Sequence, residues 1–327
     1  MKAIVVQEEK DGYPLVWQEV ESPSYGPNEV LVDIYASALN RADLSQRRGK
    51  YPPPPGASDI MGLEMAGVIA AVGARVTNWQ VGDRVCALLP GGGYAEQVNV
   101  PADMLMPIPD NWSFEQAAAL PEVFFTAYLN LFMEGSLEPG ETVLIHGGAS
   151  GVGTAGIQLA HQAGCRVLIT AGADEKLAAC RDLGADLTIN YKEEDFVERI
   201  RTYTNNAGVD LILDMVGADY FERNLNLLNP YGRLVFISTL SGAKTELDIR
   251  KLMGKRLRLI GSVLRARPLT EKVAIKERLM AQFWPSLLDG SIKTIIDSVY
   301  PIEKTEEAHH YMAENKNIGK IILKVRG

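Results

Sequence analysis

The chain is poor in the residues that build metal sites and disulfide frameworks. Its 327 residues include three cysteines, Cys86, Cys165 and Cys180, and four histidines, His146, His161, His309 and His310. The cysteines are odd in number and widely spaced, with no CxxC pair and no metal-ligand spacing. Buried thiols in a reducing compartment are the expectation. The histidines show no metal-site spacing either, and tetrahedral zinc takes three or four N/S ligands. No metal is expected. A basic surface is also missing: 33 Lys and Arg against 41 Asp and Glu give a net charge of −8, which argues against nucleic acid as a partner. No run of about 18 apolar residues suggests a membrane span. The opening residues read as a short apolar strand followed at once by charges, not as a secretory leader. A soluble, cytoplasmic protein of two domains follows from these absences and from the length.

The first 120 or so residues read as β-rich. Short apolar runs, Lys2–Val6, Glu29–Ala36 and Met65–Val72, are separated by Gly, Pro and Asn clusters. Tyr51-Pro52-Pro53-Pro54-Pro55-Gly56 predicts a stiff surface loop, because proline lacks an amide and fixes φ. From about Pro121 the pattern changes. Ser113–Leu120 and Thr126–Met133 are helical in pattern. Then strands at Thr142–His146, Arg166–Ala171, Leu187–Asn190, Val209–Met215, Gly232–Ser238 and Leu257–Val263 alternate with helices at Thr154–Ala163, Glu175–Leu183, Glu194–Tyr203 and Tyr220–Leu228. Such alternation implies a doubly wound parallel sheet covered on both faces. The tail from about Arg265 predicts helices over Val273–Leu288 and Lys304–Asn315, with strands near Ile295–Tyr300 and Ile321–Val325. The fold class is α/β, with domains at residues 1–120 plus 265–327 and at residues 121–264.

Between the first of these strands and its helix stands Gly148-Ala149-Ser150-Gly151-Val152-Gly153, a dinucleotide fingerprint with serine at the middle glycine. Gly148 permits the tight turn, the small Ser150, Gly151 and Val152 segment lets amides approach a pyrophosphate, and Gly153 lets helix and strand pack closely. The helix N-terminus adds free N–H groups and the positive dipole end. An NAD site places an acid at the end of the next strand to hold the ribose 2′-hydroxyl. Here that strand ends on Gly172, with Lys176 shortly after and Tyr191 past the following strand. Glycine leaves room for a 2′-phosphate and lysine supplies charge, so NADPH is the expected cofactor. Asp174 and Glu175 are assigned to the first turn of the next helix, where negative charge is stabilised.

With these pieces in place the chain resembles the zinc-free, zeta-crystallin-like quinone oxidoreductases of the medium-chain dehydrogenase/reductase superfamily. The likeness rests on Ala38–Asp43, the Tyr51 proline loop, Gly62-Leu63-Glu64-Met65-Ala66-Gly67, Gly82–Val85, His146–Thr154 and Asn315–Lys320. Ala38–Ser58 and Leu88–Gly93 resemble the tumour-suppressor-inducible branch. The resemblance implies a GroES-like β-barrel catalytic domain to which the tail returns, an inserted Rossmann domain and an active cleft at their junction. Zinc-dependent relatives carry a Cys and a His-Glu pair in the barrel, and four cysteines in a separate lobe. Here Asn40 stands near the cysteine position, Leu63 replaces the histidine before Glu64, and the lobe is missing. Glu64 is therefore expected to support the barrel, His146 to cap its turn and Cys86 to sit in the core.

The resemblance further implies that Asn40 and Tyr51 are catalytic, hydrogen-bonding quinone oxygens or nicotinamide ribose. Tyr51 would stabilise a developing oxyanion or lend a proton. Thr126 would reach the diphosphate-nicotinamide part, while Val216, Gly217, Ile237, Ser238, Val263 and Leu264 line the cofactor at successive strand ends. Asn315 or Asn317 would close the pocket. Homodimers or homotetramers would form through edge strands at Leu234–Thr239 and Leu257–Leu264. The expected reaction is NADPH-dependent hydride transfer to a quinone or other electron-poor small molecule. An enoyl or alkenal reductase, and a catalytically weak NADPH-binding protein of the crystallin kind, remain as alternatives.

Overall fold

A ten-residue strand, Glu29–Ala38, is the spine of the first of two units. Its side chains alternate between half-buried and buried along most of its length, the period-2 pattern of a pleated strand with one face on a core. Three partners share it, all antiparallel: Gln97–Pro101 along its start, Glu64–Val72 along nearly all of it, and Lys320–Lys324 at its end. Register shifts at Leu31/Val32 and Ile34/Ala36 bend the strand, which curves the sheet into the GroES-like barrel. Arg84–Leu88, Met106–Pro107 and Ile296–Pro301 complete that sheet, and Lys2–Val6 pairs with Leu15–Glu19 beside it. This unit comprises Met1–Val123, Arg265–Leu288 and Thr294–Gly327. The computed structural model describes residues 1–7 and 12–326. The charged stretch 8–11 that follows the first expected strand, and Gly327, lie outside the described residues.

The second unit, Phe124–Leu264 with Asp289–Lys293, is a Rossmann domain. The short Asp289–Lys293 segment, expected as part of the tail, packs here. Six strands lie in the order Leu187–Asn190, Arg166–Ala171, Thr142–His146, Val209–Asp214, Leu228–Phe236 and Arg258–Gly261, every neighbouring pair parallel. The order reverses between Thr142–His146 and Val209–Asp214, and that crevice at the carboxyl ends is where open α/β sheets bind ligands. Thr142–His146 is buried at every position, as a central parallel strand must be.

Three expectations need correction. Leu228–Phe236 lies between two strands, so of the two stretches expected at a sheet edge only Arg258–Gly261 is one. The helix expected to begin at Thr126 begins at Pro121, a residue suited to a first turn because it lacks the N–H that would be orphaned there. It widens into a π-helical turn over Leu129–Glu134, where the Asn130 side chain donates to the Thr126 carbonyl at 2.7 Å. A helix at Ile249–Lys255, capped by Asp248, was not expected at all. All three cysteines are free and buried, and among the described residues no helix is long and apolar enough to cross a membrane.

Arg233 holds the chain just past the π-helical turn. Its Nε donates to the Gly135 carbonyl at 2.7 Å and its Nη2 to that of Ser136 at 3.0 Å, and Nη2 also pairs with Glu141 at 2.6 Å. Arg233→Ala, which strands two carbonyls and a carboxylate, should lower unfolding free energy by about 2–4 kcal/mol. Arg250→Ala, which breaks the exposed pair with Asp248, should change it by less than about 0.5 kcal/mol. Urea unfolding of both variants checks the contrast; equal losses would remove the role given to Arg233.

Candidate active site

The loops that leave the parallel sheet at its carboxyl edge carry most of the expected cofactor residues. Gly148–Gly153 follows the central strand Thr142–His146, Gly172 follows Arg166–Ala171, and Tyr191 follows Leu187–Asn190. Val216 and Gly217 follow Val209–Asp214, Ile237 and Ser238 follow Leu228–Phe236, and Val263 and Leu264 lie past Arg258–Gly261. One sheet edge thus gathers these residues. Thr126 belongs to the same unit, on the helix Pro121–Tyr128.

Two glycines show why the edge needs its sequence. A Cβ on Gly153 would lie 2.4 Å from the carbonyl oxygens of Gly147 and Gly148, so the helix can start against the turn only without a side chain. A Cβ on Gly172 would lie 2.7 Å from Tyr191 Oη and 3.1 Å from Lys192 Cε. Tyr191 and Lys192 therefore lean over the residue where an NAD site would carry its acid. Lys192 was missed in the sequence; its only signal there is a basic residue directly after Tyr191. Ser150 also does more than stay small: its Oγ accepts the Gly153 N–H at 3.0 Å, capping the helix Gly151–Gln162. Lys176 sits in the first turn of the helix Asp174–Asp182, together with Asp174 and Glu175.

His146 does not cap the turn. Its ring is wholly buried, with Nδ1 3.0 Å from Thr170 Oγ1 and Nε2 2.9 Å from Asn224 Oδ1. Asn224 in turn donates to Asp214, whose Oδ1 takes the N–H groups of Val216 and Gly217. The ring fixes a loop of the edge from behind it. Burial first of all holds it neutral, with a pKa lowered to about 4.

Asn40 and Tyr51 belong to the first unit, as do Asn315 and Asn317. Asn40 follows the spine strand and precedes the short helix Arg41–Gln46. Its Oδ1 accepts from Lys320 Nζ at 2.6 Å, and its Nδ2 donates to Glu64 Oε1 at 2.8 Å. Lys320 also pairs with Glu64 at 2.7 Å, and Glu64 Oε2 takes the backbone N–H of Glu122 at 2.8 Å. Asp43 is fully buried and accepts from Tyr94 Oη at 2.8 Å and from the Asn40 N–H at 2.7 Å. Lys320, the one buried cation of this cluster, was also missed: it stands at the head of an apolar strand that reads as core.

Tyr51 is half-buried at the proline loop. The Arg265 guanidinium lies 5.2 Å from its ring centroid, donates to its carbonyl at 3.2 Å and to the Pro90 carbonyl at 2.7 Å. Burial, then the nearby Glu122 charge, raise the Tyr51 phenol above its ordinary value, so it stays a proton donor. Asn315 Oδ1 accepts from Arg41, and Asn317 donates to the Gly319 carbonyl at 2.8 Å.

Comparison with known proteins gives these features a setting. Residues 26–110 match the family described as alcohol dehydrogenase GroES-like domain, and residues 151–279 that described as zinc-binding dehydrogenase. The chain is 33% identical over 317 residues to the synaptic vesicle membrane protein VAT-1 homolog of Homo sapiens, covering 92% of this chain and 80% of that one. It is 32% identical over 307 residues to the quinone oxidoreductase of Rattus norvegicus, covering 93% and 92%. The chain belongs to the medium-chain dehydrogenase/reductase superfamily. Among solved structures it resembles Escherichia coli quinone oxidoreductase complexed with NADPH, at TM-score 0.88 and 29% identity over 99% of this chain and 100% of that one. The CurK enoyl reductase is similar at TM-score 0.87 and 29% identity, over 99% and 98%.

The zinc in one family's description finds no fit here. Glu64 already accepts three hydrogen bonds, one of its donors being a buried ammonium. Asn40 and Leu63 offer no nitrogen or sulfur ligand beside it. Cys86 is buried, and burial pushes its thiol up, away from the thiolate that binds metal. Among the described residues no group of three His, Cys, Asp or Glu side chains is placed to hold an ion.

Glu64 pairs with Lys320, and the crowding of buried carboxyls near it shows in Glu122. Burial, then the charge of Glu64, push it up to about 8, well above an unfolded glutamic acid at about 4.3. With the folded value raised, its contribution to stability is fully present below the unfolded value and is lost as pH rises through about 8. Glu122→Gln copies the protonated carboxyl at every pH. Melting temperatures of variant and wild type should therefore lie closest near pH 4. The variant should gain on the wild type as pH rises toward about 8, and the gap should level off above that. A gap that stays constant from pH 4 to pH 9 would mean that Glu122 titrates as it does in the unfolded chain.

Proposed function

We propose that this protein transfers hydride from NADPH to a quinone or a similar electron-poor small molecule without a metal. The observation that carries the reading is the end of the strand Arg166–Ala171, where Gly172 lies beneath Tyr191 and Lys192 and carries no acid. That cradle suits a 2′-phosphate: the strand end carries no repelling acid, the bare glycine lets Tyr191 and Lys192 close in over it, and Lys192, Lys176 and the Tyr191 phenol supply charge and a donor. The turn Gly148–Gly153 and the start of its helix take the pyrophosphate through backbone N–H groups. Thr126, Val216, Gly217, Ile237, Ser238, Val263 and Leu264, with Asn315 or Asn317, complete the cofactor contacts in this reading.

When bound, NADPH supplies the hydride, and a quinone accepts it without a Lewis acid. The remaining work falls to this chain. Tyr51, kept protonated, donates to the acceptor oxygen that gains charge, and Asn40 offers an amide N–H to the same end. The buried free thiols suit a reducing, cytoplasmic setting. The exposed side chains of Met253, Ile249 and Val263 around the edge strand Arg258–Gly261 support assembly of copies along that edge. The enoyl reductase likeness favours one second reading, reduction of an activated C=C bond, and 2-alkenals tested beside 1,2-naphthoquinone separate the two.

Following nicotinamide absorbance with 1,2-naphthoquinone should show fast oxidation of NADPH and slow oxidation of NADH. Lys192→Ala should raise the KM for NADPH about tenfold, the loss of roughly one charge-assisted hydrogen bond, and leave NADH unchanged. Equal use of the two cofactors by the wild type would sink the phosphate assignment. Tyr51→Phe should lower kcat about a hundredfold with little change in the KM for NADPH. Full activity in that variant would take the proton-donor role from Tyr51.

A further inference from the structure

Three strand ends meet around one ammonium. Lys320 opens the strand Lys320–Lys324, Glu64 opens Glu64–Val72, and Asn40 lies just past Glu29–Ala38. The pairings Ile322–Ala38 and Met65–Ser37 carry the three residues to the same level of the sheet. Lys320 is 3% exposed, and its three N–H donors have three oxygen acceptors: Leu39 O at 2.6 Å, Asn40 Oδ1 at 2.6 Å and Glu64 Oε1 at 2.7 Å. A buried lysine without such partners would shed its proton. Here every donor is used.

The arrangement dictates the orientation of the Asn40 amide. An ammonium only donates and an ionised carboxylate only accepts, so the Asn40 oxygen must face Lys320 and its nitrogen must face Glu64. Each partner alone would fix the same orientation; together they exclude the flipped amide. One Nδ2 hydrogen goes to Glu64. The other has only a 3.4 Å approach to the Ala38 carbonyl, too long for a strong bond. The second amide hydrogen is thus only weakly engaged, while the oxygen is turned toward Lys320.

We propose that Lys320 is a positioning residue: its ammonium supplies from within the chain the positive charge that a metal would bring beside Glu64, and it sets Asn40 to present an N–H to the acceptor. The second half rests on the reaction proposed above; the first does not. The carboxylate has a cation, and that cation is covalently attached.

The test uses the full-length protein in three forms: wild type, Lys320→Met, and the double variant Glu64→Gln with Lys320→Met. Lys320→Met keeps the stem but leaves Glu64 uncompensated, and it should melt lower. The double variant removes both charges and should regain most of the wild-type melting temperature, which keeps a folded protein in hand. With asparagine-selective isotope labelling, the side-chain amide of Asn40 should give two well-separated N–H signals in the wild type. In the double variant, where the amide introduced at position 64 both donates and accepts, those signals should shift or broaden. In that variant kcat should stay about tenfold or more below wild type, with the KM for NADPH unchanged. Recovery of both stability and kcat would overturn the positioning role and leave only charge balance. Stoichiometric zinc in the purified wild type would overturn the internal cation. If the wild type turns over no quinone but the Asn40 signals respond as stated, the proposed reaction falls and the role of Lys320 in orienting Asn40 stands.

Discussion

One buried ammonium sets the terms for the first unit. Taking a charge out of water costs several kcal/mol even after relaxation, and only close, complete hydrogen bonding offsets it. Lys320 meets that condition with three oxygens, two from side chains and one from the backbone. The consequences spread outward. Glu64 pairs with the ammonium through one oxygen, and its second oxygen ties down the start of the helix Pro121–Tyr128 through the Glu122 N–H. With that cation committed, the other two carboxyls are pushed toward their neutral forms, Glu122 to about 8 and Asp43 to about 6, burial leading in both. Asp43 is kept lower by the Asn40 N–H and the Tyr94 hydroxyl that it accepts. At neutral pH Glu122 is thus mostly protonated, while Asp43, at about 6, still carries most of its charge.

The Rossmann unit obeys a different constraint, that of direction. Because its six strands run the same way, each ends at the same edge, and the loops that follow need only be short to meet a ligand there. In the proposed cofactor site this edge works mostly by the removal of side chains. Gly153 lets the helix start against the turn, and Gly172 lets Tyr191 and Lys192 pack directly over the strand end. Where polarity is added it lies behind the loops: His146, Asn224 and Asp214 fix the Val216–Gly217 turn from the buried side. The edge is stiff because its supports are buried and satisfied, not because the loops themselves are rich in contacts.

The sequence made three of the six parallel strands legible to the residue, whereas Leu228–Phe236 starts four residues before the expected Gly232. Thr142–His146, Arg166–Ala171 and Leu187–Asn190 are short apolar runs stopped by glycine or polar turns, and buried parallel strands have to look so. Helix starts were less legible because caps decide them; the helix after the fingerprint begins at Gly151 because Ser150 caps it. Ile249–Lys255 buries no residue and left no periodic pattern to find. The interior position of Leu228–Phe236 was hidden for a deeper reason, since strand order belongs to the whole sheet and not to any one strand. The same division holds at the site. Gly148–Gly153 and Gly172 announce themselves by composition, whereas Lys320 and Lys192 look like any other lysine. Their meaning lies in partners that are distant in sequence for Lys320, and in a loop conformation for Lys192.

The donor set of the first unit also bears on which acceptor the proposed reaction suits. Reduction of a quinone leaves both new hydrogens on oxygen, and an oxyanion in transit needs hydrogen-bond donors more than an acid of fixed reach. Reduction of a conjugated C=C bond places the proton on carbon, where water exchanges it poorly and an acid must be aimed. Asn40 offers an amide N–H, which can stabilise an oxyanion but cannot surrender its proton. Tyr51 can do both, yet its phenol is raised by burial and by Glu122, which makes it a better hydrogen-bond donor to an anion than an acid toward carbon. Arg265 holds the backbone of Tyr51 to the loop at Pro90 and so limits how far the phenol can travel. Two weakly acidic donors of this kind would serve an oxygen, and within the proposed reaction the quinone is on that ground the better match.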